Sequence, residues 1–169
     1  MPRTPTRKRA KVKPTYHGIK ASVVIAIDPG KQSGYAIFGT GGKLLKYGVI
    51  NDHQEVSPFA GYDSGLALIE SQYMGKNAYS AFTIVERQTE FTIRARDAGF
   101  QVVKVSPKTW QTAIGIPPFG GYKRPMIKAM ARQFAETVTG EPIGHNMQDA
   151  ADAICIGETF NRKWRVEIV

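Results

Sequence analysis

"SVVIAIDPGKQSG", residues 22–34, decides the fold. Val23, Val24, Ile25, Ala26 and Ile27 form a short apolar run rich in β-branched residues. Such a run, bounded by turn signals, reads as a buried central strand. The run ends at Asp28, and Pro29-Gly30 opens a turn that reaches Gly34. Beyond it, "YAIFGT" and "KLLKYGVIN" flank Gly41-Gly42 and read as a hairpin. The chain therefore begins with three strands in a meander.

Further along, the pattern changes. Residues 51–63 show neither the helical nor the strand period and read as a loop. "GLALIES", 65–71, is a second buried strand. A long helix is expected from about Lys76 to Ala98, with Ala81, Ile84, Val85, Phe91 and Ala95 on its apolar face and Gly99 as C-cap. "FQVVKVS", 100–106, is another strand, and Pro107 after Ser106 starts a short helix to about Ile114. "GIPPFGGYKRP", 115–125, reads as an exposed loop, "MIKAMARQFAETV" as an amphipathic helix, and residues 148–161 as a last helix. Strands followed by alternating helices and strands imply an α/β domain with a mixed sheet.

A chain of 169 residues with 42% hydrophobic content fits one domain. No apolar run approaches the roughly 18 residues of a membrane span, and no apolar segment follows the basic start, so neither a membrane partner nor a secretory signal is expected. Cys155 is the single cysteine, which excludes an intramolecular disulfide and multi-cysteine zinc sites and fits an intracellular, reducing setting. The formal charge of +9 is uneven. Residues 1–20 hold seven basic residues and no acid, leaving 16 basic against 14 acidic in the remainder. The expected organisation is a basic, disordered arm over 1–20 and a folded domain over 21–169. The arm reads as a solubilising terminus, a nucleic-acid-binding arm or an organellar transit segment.

Chemistry is concentrated at strand ends. Asp28 closes the first strand and Glu70 closes "GLALIE". If these strands are parallel neighbours, both carboxylates lie at one edge of the sheet. The last helix, "QDAADAICIGETF", is apolar enough to be buried, yet keeps Asp149 and Asp152 three residues apart on one face. Packed across the same edge, it would gather four carboxylates. They cannot all stay ionised without a counter-charge, and hard divalent cations with oxygen ligands supply one. Two ions about 3.5–4 Å apart are the arrangement for in-line phosphoryl displacement. Each acid also has a plainer reading: "DPG" is a good turn, Glu70 a strand-end charge, and the aspartate pair a first-turn preference. Their combination is more specific than any one.

With these residues in view, the chain resembles the RuvC family of Holliday-junction resolvases, within the RNase H-like nucleases. The resemblance rests on "IAIDPGKQSGYAIF" (25–38), "LIESQYMGKNAYSA" (68–81), "QTAIG" (111–115) and "QDAADAICIG" (148–157), in the family's order. It implies an RNase H-like five-stranded mixed sheet flanked by helices. It also implies Mg²⁺-dependent endonuclease activity with two ions per site, Mn²⁺ substituting, held by Asp28, Glu70, Asp149 and Asp152. The substrate implied is branched DNA, a four-way junction resolved by paired symmetric nicks that leave 5′-phosphates, and the implied assembly is a homodimer. Tyr73 matches an aromatic that stacks on DNA, and Lys123 a loop lysine near the scissile phosphate. Arg124 is a helper beside Lys123, and Lys76 a phosphate contact at a helix start. Each of these four also reads as an ordinary core or solvated side chain.

Departures accompany the resemblance. The chain between Ile50 and Leu66 is too short for the helix that usually precedes the Glu-bearing strand, and the N-terminal arm is extra. Trp110 stands where the family tends to have a basic residue and reads as packing for the short helix, with a base contact as the lesser alternative. Glu86 follows an apolar run like a strand-end acid, but it stands at i,i+4 spacing to Glu90 in a segment that the resemblance places on a helix, so it is read as helix surface. His145 is read as incidental to the site. Competing functions are a relaxed nuclease for forks and flaps, a non-catalytic junction-binding module, and an actin- or sugar-kinase-like nucleotide binder, which would need a second domain.

Overall fold

The computed structural model describes residues 19–51, 57–71, 78–117, 121–164 and 166–169. The expected arm falls almost wholly outside these, as do Tyr73 and Lys76. Lys20–Ala21 (β1) pairs in parallel with Glu167–Ile168 (β7), clipping the two ends of the described chain together. The main sheet has five strands: Val24–Asp28 (β2), Ser33–Phe38 (β3), Leu44–Ile50 (β4), Gly65–Glu70 (β5) and Phe100–Val105 (β6). Their order is β4-β3-β2-β5-β6. The β2-β3-β4 meander is antiparallel, and β5 and β6 are added in parallel. The expected five-stranded mixed sheet is therefore present.

The meander turns where the sequence suggests. Gly41 and Gly42 have φ of 70° and 75°, a left-handed backbone that disfavours other residues. The turn read from residues 29–34 ends earlier than expected, since Ser33 and Gly34 already belong to β3.

Side chains alternate along β2 and β5, and so divide the core in two. Val24, Ala26, Leu66 and Leu68 face one layer, which holds Gln148–Thr159 (α4), Arg124–Thr139 (α3) and Pro107–Ala113 (α2). Ile25, Ile27, Ala67 and Ile69 face the other, beneath Ala78–Asp97 (α1). Burial on both faces explains why β2 reads as an unbroken apolar run. Phe59, in the segment read as a featureless loop, is buried in the α1 layer with its ring 5.2 Å from that of Phe100. On α1, Phe91 and Ala95 are buried, but Val85 faces outward at 41% exposure, against expectation. Ser106 caps α2 through its hydroxyl, which accepts a bond from the Thr109 amide. α4 continues into a π turn over Phe160–Trp164.

Candidate metal centre

The alternation that divides the core also aims the acids. Asp28 follows Ala26 by two residues and Glu70 follows Leu68 by two, so both project toward the α4 layer. Ile27 and Ile69 are register partners in adjacent parallel strands, which sets the two carboxylates side by side at one sheet edge.

Gly34 brings the third acid in. It is the register partner of Asp28 on β3. A Cβ at Gly34 would lie 1.7 Å from the carbonyl oxygen of Asp149. The missing side chain is the space into which the first turn of α4 fits. Carboxylate oxygens of Asp28, Asp149 and Asp152 consequently lie within 4.8 Å of one another. Glu70 stands beside this trio. Its Oε1 accepts a 2.7 Å hydrogen bond from the Trp110 indole, and its carboxyl also hydrogen-bonds Asp28.

Removal from water raises all four acids, and mutual repulsion adds to it at Asp28, Glu70 and Asp152. Burial, followed by the charges of Glu70, Asp152 and Asp149, holds the Asp28 carboxyl well above its usual range. Burial pushes Glu70 up to about 7, opposed by the Trp110 bond. Burial likewise pushes Asp152 up to about 6, opposed by a hydrogen bond from Gln148. Asp149, less buried and at the positive end of α4, is raised mainly by desolvation. The cluster thus favours a bound proton or a stronger counter-charge in its place. An all-oxygen, mostly carboxylate donor set with that deficit of positive charge suits a hard divalent cation such as Mg²⁺ or Mn²⁺. Asp28, Asp149 and Asp152 are placed to hold it, with Glu70 adjoining.

Sequence reasoning missed the residues that support the acids. Trp110, read as packing, is buried and also donates to Glu70. Gln148 Nε2 donates both to Asp152 Oδ1 (2.9 Å) and to the Lys128 carbonyl (3.2 Å), tying α4 to α3. Arg132 Nη1 in turn donates to Gln148 Oε1 at 3.2 Å and lies 3.0 Å from His145 Nδ1. Among the described residues, His145 is linked to the acids through Arg132 and Gln148. Lys128 lowers the pKa of all four acids, and Arg124 that of Asp149 and Asp152. Lys123 precedes α3 as an exposed N-cap residue. Glu86 is exposed on α1, away from the cluster, whereas Glu90 pairs with Arg87 and Arg94.

The architecture has solved counterparts. Thermus thermophilus RuvC, and T. thermophilus RuvC in complex with Holliday junction substrate, each superpose with a TM-score of 0.62. The identity is 17%, over 85% of this chain and 95% of theirs. The fold is RuvC-like. No family model and no curated protein matches the sequence. At this identity the likeness establishes the architecture, and the case for chemistry rests on the carboxylates.

Among the described residues, no helix is long and apolar enough to cross a membrane. Cys155 is buried and its thiol donates to the Ala131 carbonyl, so the single cysteine packs α4 on α3.

Proposed function

We propose that this protein is a divalent-cation-dependent DNA endonuclease that resolves four-way junctions by paired nicks. The observation that carries the reading is the clustering of Asp28, Asp149 and Asp152, with Glu70 beside them, at the edge of a RuvC-like sheet. The four carboxylates would hold Mg²⁺, two ions at full occupancy. Bound there, the ions supply charge stabilisation of a phosphodiester and a water of lowered pKa. The chain's own residues do the rest. Gln148 and Trp110 hold Asp152 and Glu70 in fixed orientations by hydrogen bonds. The apolar body of α4 excludes water behind the acids, and exposed Lys123 and Arg124 offer cations to the incoming backbone. Tyr73 and Lys76 are proposed as further DNA contacts, and the basic residues before Lys20 as a sequence-independent arm.

A second copy of the chain fits a substrate with two equivalent strands. The outer face of α1 supports this. Phe82, Val85 and Ile93 fall on one helical face with Thr89, and are 67%, 41% and 53% exposed.

The test is cleavage of a synthetic four-way junction, a Y-junction and a linear duplex in Mg²⁺, wild type beside Asp149→Asn. Junction cutting by the wild type alone is expected. Equal cutting of all three substrates would remove junction selectivity and leave a general branched-DNA nuclease. Activity that survives both chelation and the substitution would overturn the metal mechanism.

A further inference from the structure

α3 carries a basic row of which the sequence reading assigned only Arg124. Arg124, Lys128 and Arg132 are spaced at i, i+4 and i+8, so they rise along one side of the helix at about 6 Å per step. That side flanks the stripe of Ile127, Ala131 and Ala135 that packs into the core. It faces the first turn of α4, because Gln148 bonds the Lys128 carbonyl and Asp152 with the same amide nitrogen. Lys128 is accordingly half-buried, whereas Arg124 is exposed. Arg132 is fixed by Gln148 and lies against His145.

We infer that Lys128, between Arg124 and Arg132 on α3, is a phosphate-binding residue that seats the DNA strand presented to the carboxylates. The inference rests on the nuclease reading and adds a residue to it. No salt bridge ties the Lys128 ammonium to a carboxylate among the described residues, yet its charge is felt by all four acids. A cation near every acid but committed to none is suited to an anion that arrives later. Charge balance agrees. Four carboxylates holding two divalent cations are neutral, so a phosphodiester added to them needs a further positive charge, and Lys128, whose charge reaches all four acids, can supply it.

The experiment measures binding of a four-way junction in Ca²⁺ across a salt series, with cleavage in Mg²⁺ recorded in parallel. Lys128→Met keeps the aliphatic stem, Lys128→Arg keeps the charge, and thermal melts establish that each variant folds. Lys128→Met is expected to bind about tenfold more weakly, with the slope of log K against log salt reduced by about one. Lys128→Arg should restore both, which a purely structural lysine would not require. Wild-type affinity and slope in Lys128→Met overturn the inference while the nuclease reading stands. An arginine variant that folds but is as weak as the methionine variant also overturns it. A wild type that neither binds nor cuts branched DNA overturns the nuclease reading, and this inference with it.

Discussion

Trp110 Nε1 donates a 2.7 Å hydrogen bond to Glu70 Oε1, joining the short helix after β6 to the acid that ends β5. Both residues are buried, so the bond orients Glu70 in a medium that strengthens it. Trp110→Phe keeps the ring packing and removes the donor. Losing one hydrogen bond to a buried carboxylate costs about 1–3 kcal/mol, and the variant should melt lower by that measure. Glu70, with one partner fewer to orient it, should also bind metal more weakly. A several-fold rise in the Mg²⁺ midpoint for cleavage, and in the Mn²⁺ dissociation constant by calorimetry, is expected. Unchanged metal affinity would assign Trp110 to packing alone.

The raised carboxylates fix the sign of the pH dependence. Glu70, at about 7, and Asp152, at about 6, bind protons more tightly in the folded chain than in the unfolded one. Stability from these groups is fully present below their unfolded values and is lost as pH rises through the folded ones. In EDTA the protein should therefore melt higher near pH 5.5 than near pH 8. Saturating Mg²⁺ should raise the melting temperature most at pH 8, where protons no longer shield the cluster. A melting temperature indifferent to Mg²⁺ at pH 8 would count against a metal site here.

Much of this was legible in sequence, for a definite reason. "VVIAID" and "GLALIE" are buried on both faces, so their apolar residues could not be mistaken for a helix surface, and an acid ending each run stands out. α4 was legible because a nearly all-buried helix leaves its two aspartates unexplained. Contacts made across the fold were not legible. Nothing local marks Trp110 as a donor to a residue 40 positions earlier, or Phe59 as core, because both depend on partners set by the sheet order. Gly34 looked like a turn residue, since close approach of a helix leaves the same signature as a backbone bend. Lys128 was lost among the many cations of a basic chain.

Neutralising one acid should separate metal binding from folding. Asp152→Asn keeps the shape of a buried side chain and removes a charge that burial and Asp149 disfavour. At pH 8 without metal, the variant should be more stable than the wild type, because leaving an uncompensated charge buried is costly. It should also lose most of its Mg²⁺-induced rise in melting temperature and fall in cleavage by orders of magnitude. A variant both less stable without metal and equally stabilised by it would place Asp152 outside the site.

The proposed dimer face on α1 can be broken without touching the core. Phe82 and Ile93 are exposed, so Phe82→Glu with Ile93→Glu should leave the melting temperature of the domain nearly unchanged. Sedimentation should shift from dimer to monomer, and paired nicking of a junction should give way to single nicks. A wild type that sediments as a monomer at micromolar concentration, with or without junction DNA, would dismiss the dimer.

Gly34→Ala is the sharpest test of how the centre is assembled. The added methyl would meet the Asp149 carbonyl oxygen at 1.7 Å and its carbonyl carbon at 2.1 Å, both backbone atoms that cannot rotate away. α4 must lift from β3, carrying Asp149 away from Asp28, the register partner of the altered residue. Overpacking typically costs about 1–3 kcal/mol, and a helix–strand contact this close should sit at or above the upper end. The variant should show a clearly lower melting temperature and weaker Mn²⁺ binding together. Gly41→Ala provides the contrast, because nothing lies within 4 Å of its Cβ position and only the turn's positive φ is strained. It should lose some stability while keeping metal affinity. Equal loss of metal affinity in the two variants would mean that Gly34 acts through general stability, and that its close approach to Asp149 does not build the site.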